Sequence, residues 1–299
     1  MRGGWLLRFQ TQSGAARVNG MSQLPTNTMN SIQTFLQTVE WPVMPEVGQA
    51  LIRTLNDDDA DTHSVGRIIS KDPALTATLL RMANSAMFGL SGSVDTLDRA
   101  ISVVGMSLIR TRALSICISR VANLPVGLDR KAFWRYCMLC AGYAQWIATL
   151  SEVDSQEAWL AGMMMRLGEI SLGKAQPDLL PRIEAKPVEP GERWLRQQQL
   201  IGFDEGQITA ELARYWDLPS ILVLGLRHAA QPLVSPEFSR LAAVLHLAGR
   251  LADTGQVTPE AIDQMPLLVM RMLKLTPEQL GHMPPDADSL ADISMFDAR

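Results

Sequence analysis

Three places in the sequence put reactive side chains at spacings that could do chemistry. Residues 168–175 read GEISLGKA, close to the glycine-rich loop that cradles phosphates. The match fails where the chemistry needs it. Ala175 stands where a Ser or Thr would hold magnesium, and no buried strand leads into the loop. These glycines are read as packing and turn positions. Cys137 and Cys140 form a C-x-x-C pair inside an apolar helical run, residues 133–150, with no second pair to complete a zinc site. With Cys117 they make an odd, sparse set and no disulfide framework. They are expected as small buried hydrophobes in a reducing cytoplasm. The histidines are His63, His228, His246 and His282; none has another three or four residues away, so no helix offers zinc a ready pair.

The elements that must position such groups are helical. Of 299 residues, 47% are hydrophobic, enough for a sizeable core. Aromatics are few, while Leu, Ala and Met are plentiful. Unbranched side chains lose little rotamer freedom in a helix, so composition alone points to an all-α fold. The net charge is −4. A duplex-binding surface is usually basic, so no nucleic-acid partner is expected. No apolar run reaches the roughly 18 residues of a membrane span, and residues 1–20 lack a sustained apolar stretch. Residues 1–23 are expected as a flexible extension.

Periodicity and caps place the helices. Val47, Leu51, Ile52 and Leu55 share a helical face. An acidic run, residues 56–61, ends that helix, and Thr62 or Ser64 can cap the next. Asp72-Pro73 is a strong start signal: the carboxylate takes an orphan amide and the proline lacks one. Further helices are expected from Thr96 or Asp95 to Gly105, over 107–121, 131–150, 156–172, 194–201, 204–215, 220–230 and 237–253. Pro125 and Gly127 mark a linker between two subdomains, 24–122 and 125–275. Residues 276–299 are a tail, expected to fray from Pro284.

Residues 41–47 (WPVMPEV), 68–89 (IISKDPALTATLLRMANSAMFG) and 96–105 (TLDRAISVVG) resemble, in order, the N-terminal signature of HDOD proteins (HD-related output domain). The resemblance covers about residues 24–275. It implies bacterial signalling and an all-helical bundle whose second subdomain is related to HD-type metal phosphohydrolases. It also implies where an enzyme's ligands would fall. Tyr136 stands at an early histidine of the long helix. In residues 162–168 (GMMMRLG), Met165 and Arg166 stand at the defining His-Asp pair. Glu205 stands at a further histidine, Ala229-Ala230 at paired histidines with His228 one residue away, and Gly249 at the late aspartate.

Such a set suits a metal poorly. Divalent ions need imidazoles and carboxylates converging on one point, and Arg166 puts a positive charge there instead. Two readings of the leftover pocket stay open. Tyr136, Met165 and Gly249 could fill it, with Arg166 bridged to Glu169 or Glu205. Or Arg166 and Tyr136 could bind an anionic, nucleotide-like ligand, as a guanidinium suits phosphate. Asn84 and Ser85 carry a similar choice between capping and a role where the subdomains meet. The expected protein is not an enzyme, uses no cofactor or metal, and works through signalling protein partners in the cytoplasm. The rival is a divergent metal-dependent phosphohydrolase acting on a nucleotide or cyclic dinucleotide.

Overall fold

The computed structural model describes residues 31–57, 59–85, 93–185, 189–235 and 237–296. The expected extension over residues 1–23, and the Phe88-Gly89 end of the signature, lie outside them. Among the described residues all regular structure is helical. Chain order is α1 (Ile32–Leu36), α2 (Glu46–Leu55), α3 (Thr62–Ile69), α4 (Pro73–Ala83), α5 (Leu97–Val104) and α6 (Met106–Val121), then α7 (Arg130–Leu150), α8 (Ser155–Met164), α9 (Leu167–Ala175), α10 (Leu180–Ile183), α11 (Glu192–Ile201) and α12 (Glu205–Tyr215). The chain continues through α13 (Ser220–Arg227), α14 (Arg240–Thr254), α15 (Pro259–Asp263), α16 (Leu267–Met272), α17 (Pro277–Gly281) and α18 (Ala287–Leu290). No single described helix is long and apolar enough to cross a membrane.

Caps explain most boundaries. Asp72 accepts the Leu75 amide at 2.8 Å, with Pro73 leading α4. Thr96 caps α5, and Gly105, at φ +94°, turns the chain directly into α6. Helix α3 starts differently from expectation: Asp61, not Thr62 or Ser64, takes the orphan amide, accepting from Ser64 at 2.7 Å. A carboxylate at that place also favours the positive helix end.

A larger difference lies at residues 156–172, expected as one helix. The chain breaks at Met165–Arg166 into α8 and α9. Residues 158–170 are buried throughout, so no polar face marks the break. The periodicity that finds amphipathic helices is blind there.

The long helix α7 is the spine. It packs on α8 and, elsewhere, on α14. The approach to α8 is close because Gly162 lies against α7: an added Cβ would sit 2.7 Å from the Cys140 carbonyl oxygen. Gly168 similarly faces the backbone at Glu205, bringing α9 onto α12. This is the packing role expected for that glycine. Helices α2 to α6 form the N-terminal half around α6, which meets α8. One apolar core runs through both halves, from Met44 to Phe296. Two polar ties add to it. The Trp216 indole donates to the Pro42 carbonyl at 2.8 Å, and the Asn56 amide to the Asp217 carbonyl at 2.8 Å.

Residues 284–296, expected to fray, are packed on the core. Phe296 is buried with its ring 4.9 Å from that of Trp134, and Leu290 fits over Gly142 of α7. The acidic residues are outward: Asp286 caps α18, and Asp292 bonds Ser294. Apolar anchors decided the outcome, and charge per residue did not.

Candidate functional site

Where α7, α9, α11, α12 and α14 converge, a buried polar cluster interrupts the core. Tyr136 comes from the second turn of α7. Its hydroxyl donates to the Asp253 carboxylate at 2.8 Å. Asp253 sits on α14 one turn beyond Gly249, so the two share a face. Its second oxygen accepts the Gly191 amide at 2.8 Å, where Gly191 turns into α11 at φ +82°. Arg193 follows at once. Its guanidinium meets Glu205 at 2.9 Å, Asp253 at 3.4 Å and the Tyr136 oxygen at 2.9 Å. Gln197, one turn along α11, donates to the other Glu205 oxygen at 2.9 Å and accepts the Glu205 amide at 2.8 Å.

Arg166 forms the second half of the cluster. It stands at the N-cap position of α9, at the break, and pairs with Glu169, three residues on, at 2.6 Å and with Glu184 at 2.7 Å. Its guanidinium carbon lies 5.0 Å from the centre of the Tyr136 ring, while Arg193 lies 4.5 Å from it. Both cations thus lie close to the tyrosine ring, an arrangement its electron-rich face favours. Met165 and Gly249 fill the remaining space with Trp194. A Cβ on Gly249 would sit 2.7 Å from that indole.

The charges are mutually adjusted. Burial lowers the Arg193 pKa, but Glu205, Tyr136 and Asp253 more than reverse this, so it stays charged. Burial likewise works against Arg166, and Glu169 and Glu184 outweigh it. Burial pushes the Tyr136 phenol well up, keeping it a neutral donor. Two guanidinium groups face four carboxyl groups, of Glu169, Glu184, Glu205 and Asp253. That excess of acid in a dry place favours retaining a proton. Glu169 is the carboxyl pushed up, to about 8, by burial first, with Arg166 opposing and Glu205 and Glu184 adding to the rise.

The structure brings Tyr136, Arg166 and Glu205 together as a cluster. It leaves the other three candidates elsewhere. His228 ends α13, and no side-chain hydrogen bond joins it to Arg193 or Glu205 among the described residues. Burial lowers its pKa, as does Arg227. Asn84 caps the end of α4 and clamps the chain ten residues on, exchanging two bonds of 2.7 Å with the Val94 backbone while also donating to Leu80. Ser85 lines a separate cavity at the junction of the two halves. Both cysteines of the C-x-x-C pair are buried with thiol pKa values raised by burial, that of Cys137 to about 12.

Sequence reading missed Arg193, Gln197, Glu184 and Asp253. Asp253 was findable by following the Gly249 face one turn. Arg193 was not: it falls just before the helix expected over 194–201, in a segment rich in charge and glutamine, 192–199 (ERWLRQQQ). Among the described residues, no group of three or more His, Cys, Asp or Glu side chains is placed to hold a metal.

Known proteins share this architecture. A protein from Shewanella amazonensis, named as a candidate phosphohydrolase, superposes with a TM-score of 0.68 at 25% identity, over 88% of this chain and 94% of its own. An HDOD domain protein of unknown function from Geobacter sulfurreducens does so at 0.66 and 18% identity, over 86% and 90%. A candidate signal transduction protein from Marinobacter aquaeolei matches at 0.67 and 22% identity, over 85% of this chain and 57% of its own. In sequence, an uncharacterised protein of Treponema pallidum is 24% identical over 245 residues, 80% of this chain; the match spans 47%, about half, of that relative's length. The HDOD domain family matches residues 41–232, and this chain belongs to it.

Proposed function

We propose that this chain is a non-enzymatic regulatory protein, which passes a signal through contact with a protein partner. The observation that carries this is the pair of buried guanidinium groups, Arg166 and Arg193, each already matched to a carboxylate, Glu184 and Glu205 respectively. A divalent ion there would meet two fixed positive charges at short range. The carboxylate oxygens of Glu205 and Asp253 are engaged by arginine, glutamine, tyrosine or backbone donors. Without a suitably held ion, no water is activated and no phosphoryl group polarised by that route. The cluster acts instead as an internal fastener between α7, α9, α11, α12 and α14.

The competing reading is a divergent phosphohydrolase, favoured by the likeness to the Shewanella protein and by the presence of Glu205 and Asp253 at the centre. Elemental analysis of the purified full chain separates the two, combined with turnover assays on nucleotides and cyclic dinucleotides under added manganese, iron or magnesium. The regulatory reading expects substoichiometric metal and no chelator-sensitive turnover. One tightly held ion per chain, with hydrolysis lost on chelation, would overturn it. Affinity capture from the native cell then identifies the partner.

A further inference from the structure

A second buried arginine site lies apart from the Arg193 cluster. Arg112 of α6 is only 5% exposed. Its guanidinium carbon stacks 3.3 Å from the centre of the Trp159 ring, on α8. Its Nη1 is buried with no hydrogen-bond partner, and its Nη2 reaches only the Gln145 side-chain oxygen, at 3.5 Å, the outer limit of a hydrogen bond. No ion pair to it occurs among the described residues. Burial unopposed by any carboxylate drags its pKa down to about 9. A buried cation left like this is costly until an anion pairs with it.

The same guanidinium lines a cavity of about 780 Å³ between the N-terminal half and the α7–α8 pair, with one wall made by residues 289–295. This volume is within the usual range for a small-molecule site. Most of the exposed wall is apolar, from side chains such as Met138, Trp159, Leu290 and Met295, although eight of the fourteen lining residues are polar or charged. Arg81 adds a second positive charge, and Asp292 a negative one. The balance of the three is a single positive charge, which suits one negative charge in return. Trp159 covers a guanidinium face, so an anion would pair with the in-plane N–H edge, the geometry a carboxylate or phosphate group fits; Nη1 is itself buried, so the side chain turns that edge to the cavity on binding.

We propose that the cavity between the two halves binds a small organic monoanion, its charge paired with Arg112 and its flat apolar body lying against Met138 and Met295. This differs from the ligand role considered for Arg166, whose guanidinium is already held by Glu169 and Glu184. It is also independent of the absence of hydrolysis, because the Arg193 cluster does not line this cavity.

The test uses the full chain and two probes of matching shape, 1-naphthoate and its neutral amide, followed by thermal shift and by quenching of tryptophan fluorescence. Naphthoate is expected to raise the unfolding midpoint and quench, with the amide about tenfold weaker or more, as loss of one charge-assisted pair implies. Arg112→Met is expected to bring naphthoate down to the amide's level. The ligand-free variant should be at least as stable as the parent, since it removes an unpaired charge. Ser85→Trp, at the cavity wall and on an exposed residue, should block both probes without loss of fold. Equal binding of acid and amide, binding unchanged in Arg112→Met, no charge-dependent response at millimolar naphthoate, or unfolding of Arg112→Met would each overturn the proposal. The last would mean that the protein itself satisfies the cation.

Discussion

Arg193 and Glu205 meet at 2.9 Å with neither side chain more than 7% exposed. Each brings a further partner: Asp253 for the arginine and Gln197 for the glutamate. A pair so placed gains little over a well-packed apolar pair, because both charges were taken out of water. Its loss on one side only is another matter.

Arg193→Met is therefore expected to destabilise the fold by about 3–5 kcal/mol, since it strands the Glu205 and Asp253 carboxylates. Adding Glu205→Gln, which keeps a partner for Gln197, should recover part of this. Urea unfolding of the two single variants and the double variant measures the coupling. Additive losses would show that the two side chains do not act as a pair.

Glu169 gives a pH dependence with a definite sign. Its pKa is raised from 4.5 to about 8 in the fold. The stability tied to its proton is fully present below about 4.5 and is lost as pH rises through about 8. Glu169→Gln, which imitates the protonated form, should match the parent near pH 5 and exceed it increasingly towards pH 8. Melting curves across that range check this; a constant gap between the two proteins would refute it.

His246 has the opposite sense. Burial drags its pKa from 6.5 to about 4, although its Nδ1 bonds the Ala229 carbonyl oxygen at 2.8 Å. Stability is fully present above about 6.5 and falls as pH drops towards 4, because the unfolded chain takes the proton first. The loss by pH 4 is about 3 kcal/mol at most, at 1.36 kcal/mol per unit. In His246→Gln that part of the acid sensitivity should vanish. Parallel acid losses in the two proteins would assign the sensitivity to other groups.

Asn84→Ala removes both bonds to the Val94 backbone. A cost of about 1–3 kcal/mol is expected, felt locally, because a backbone amide and carbonyl lose their partner. Hydrogen exchange should quicken at Val94 and leave α7 amides unchanged. Unaltered protection at Val94 would mean that the clamp contributes nothing.

The fold was legible where polarity alternates with burial. Helices α2 to α5 declared themselves through apolar faces and through caps such as Asp72 and Thr96. The Met165–Arg166 break was not legible, because the residues on both sides of it, 158–170, are buried throughout. At the cluster, the residue types already suggested Tyr136, Arg166 and Glu205. Their pairing was only partly readable: Arg166 took Glu169, as one expectation had it, and also the unforeseen Glu184. Arg193 answers Glu205 from a helix entered through the left-handed turn at Gly191, a relationship of space that no spacing in the chain encodes. Arg112 was equally silent, since nothing along α6 says that Trp159 will cover it.

Gly142 sets helix and molecule at odds. Alanine there would suit α7 taken alone, by about 1 kcal/mol of intrinsic preference. Yet the added methyl carbon would sit 2.5 Å from a Leu290 methyl, where the last turns of the chain come to rest on their spine. A change that improves the helix would thus push the Leu290 side chain aside and loosen the seat of α18 on α7. Substitutions ranked by local propensity will misjudge this position, and the notch holds its shape only by staying empty of a side chain.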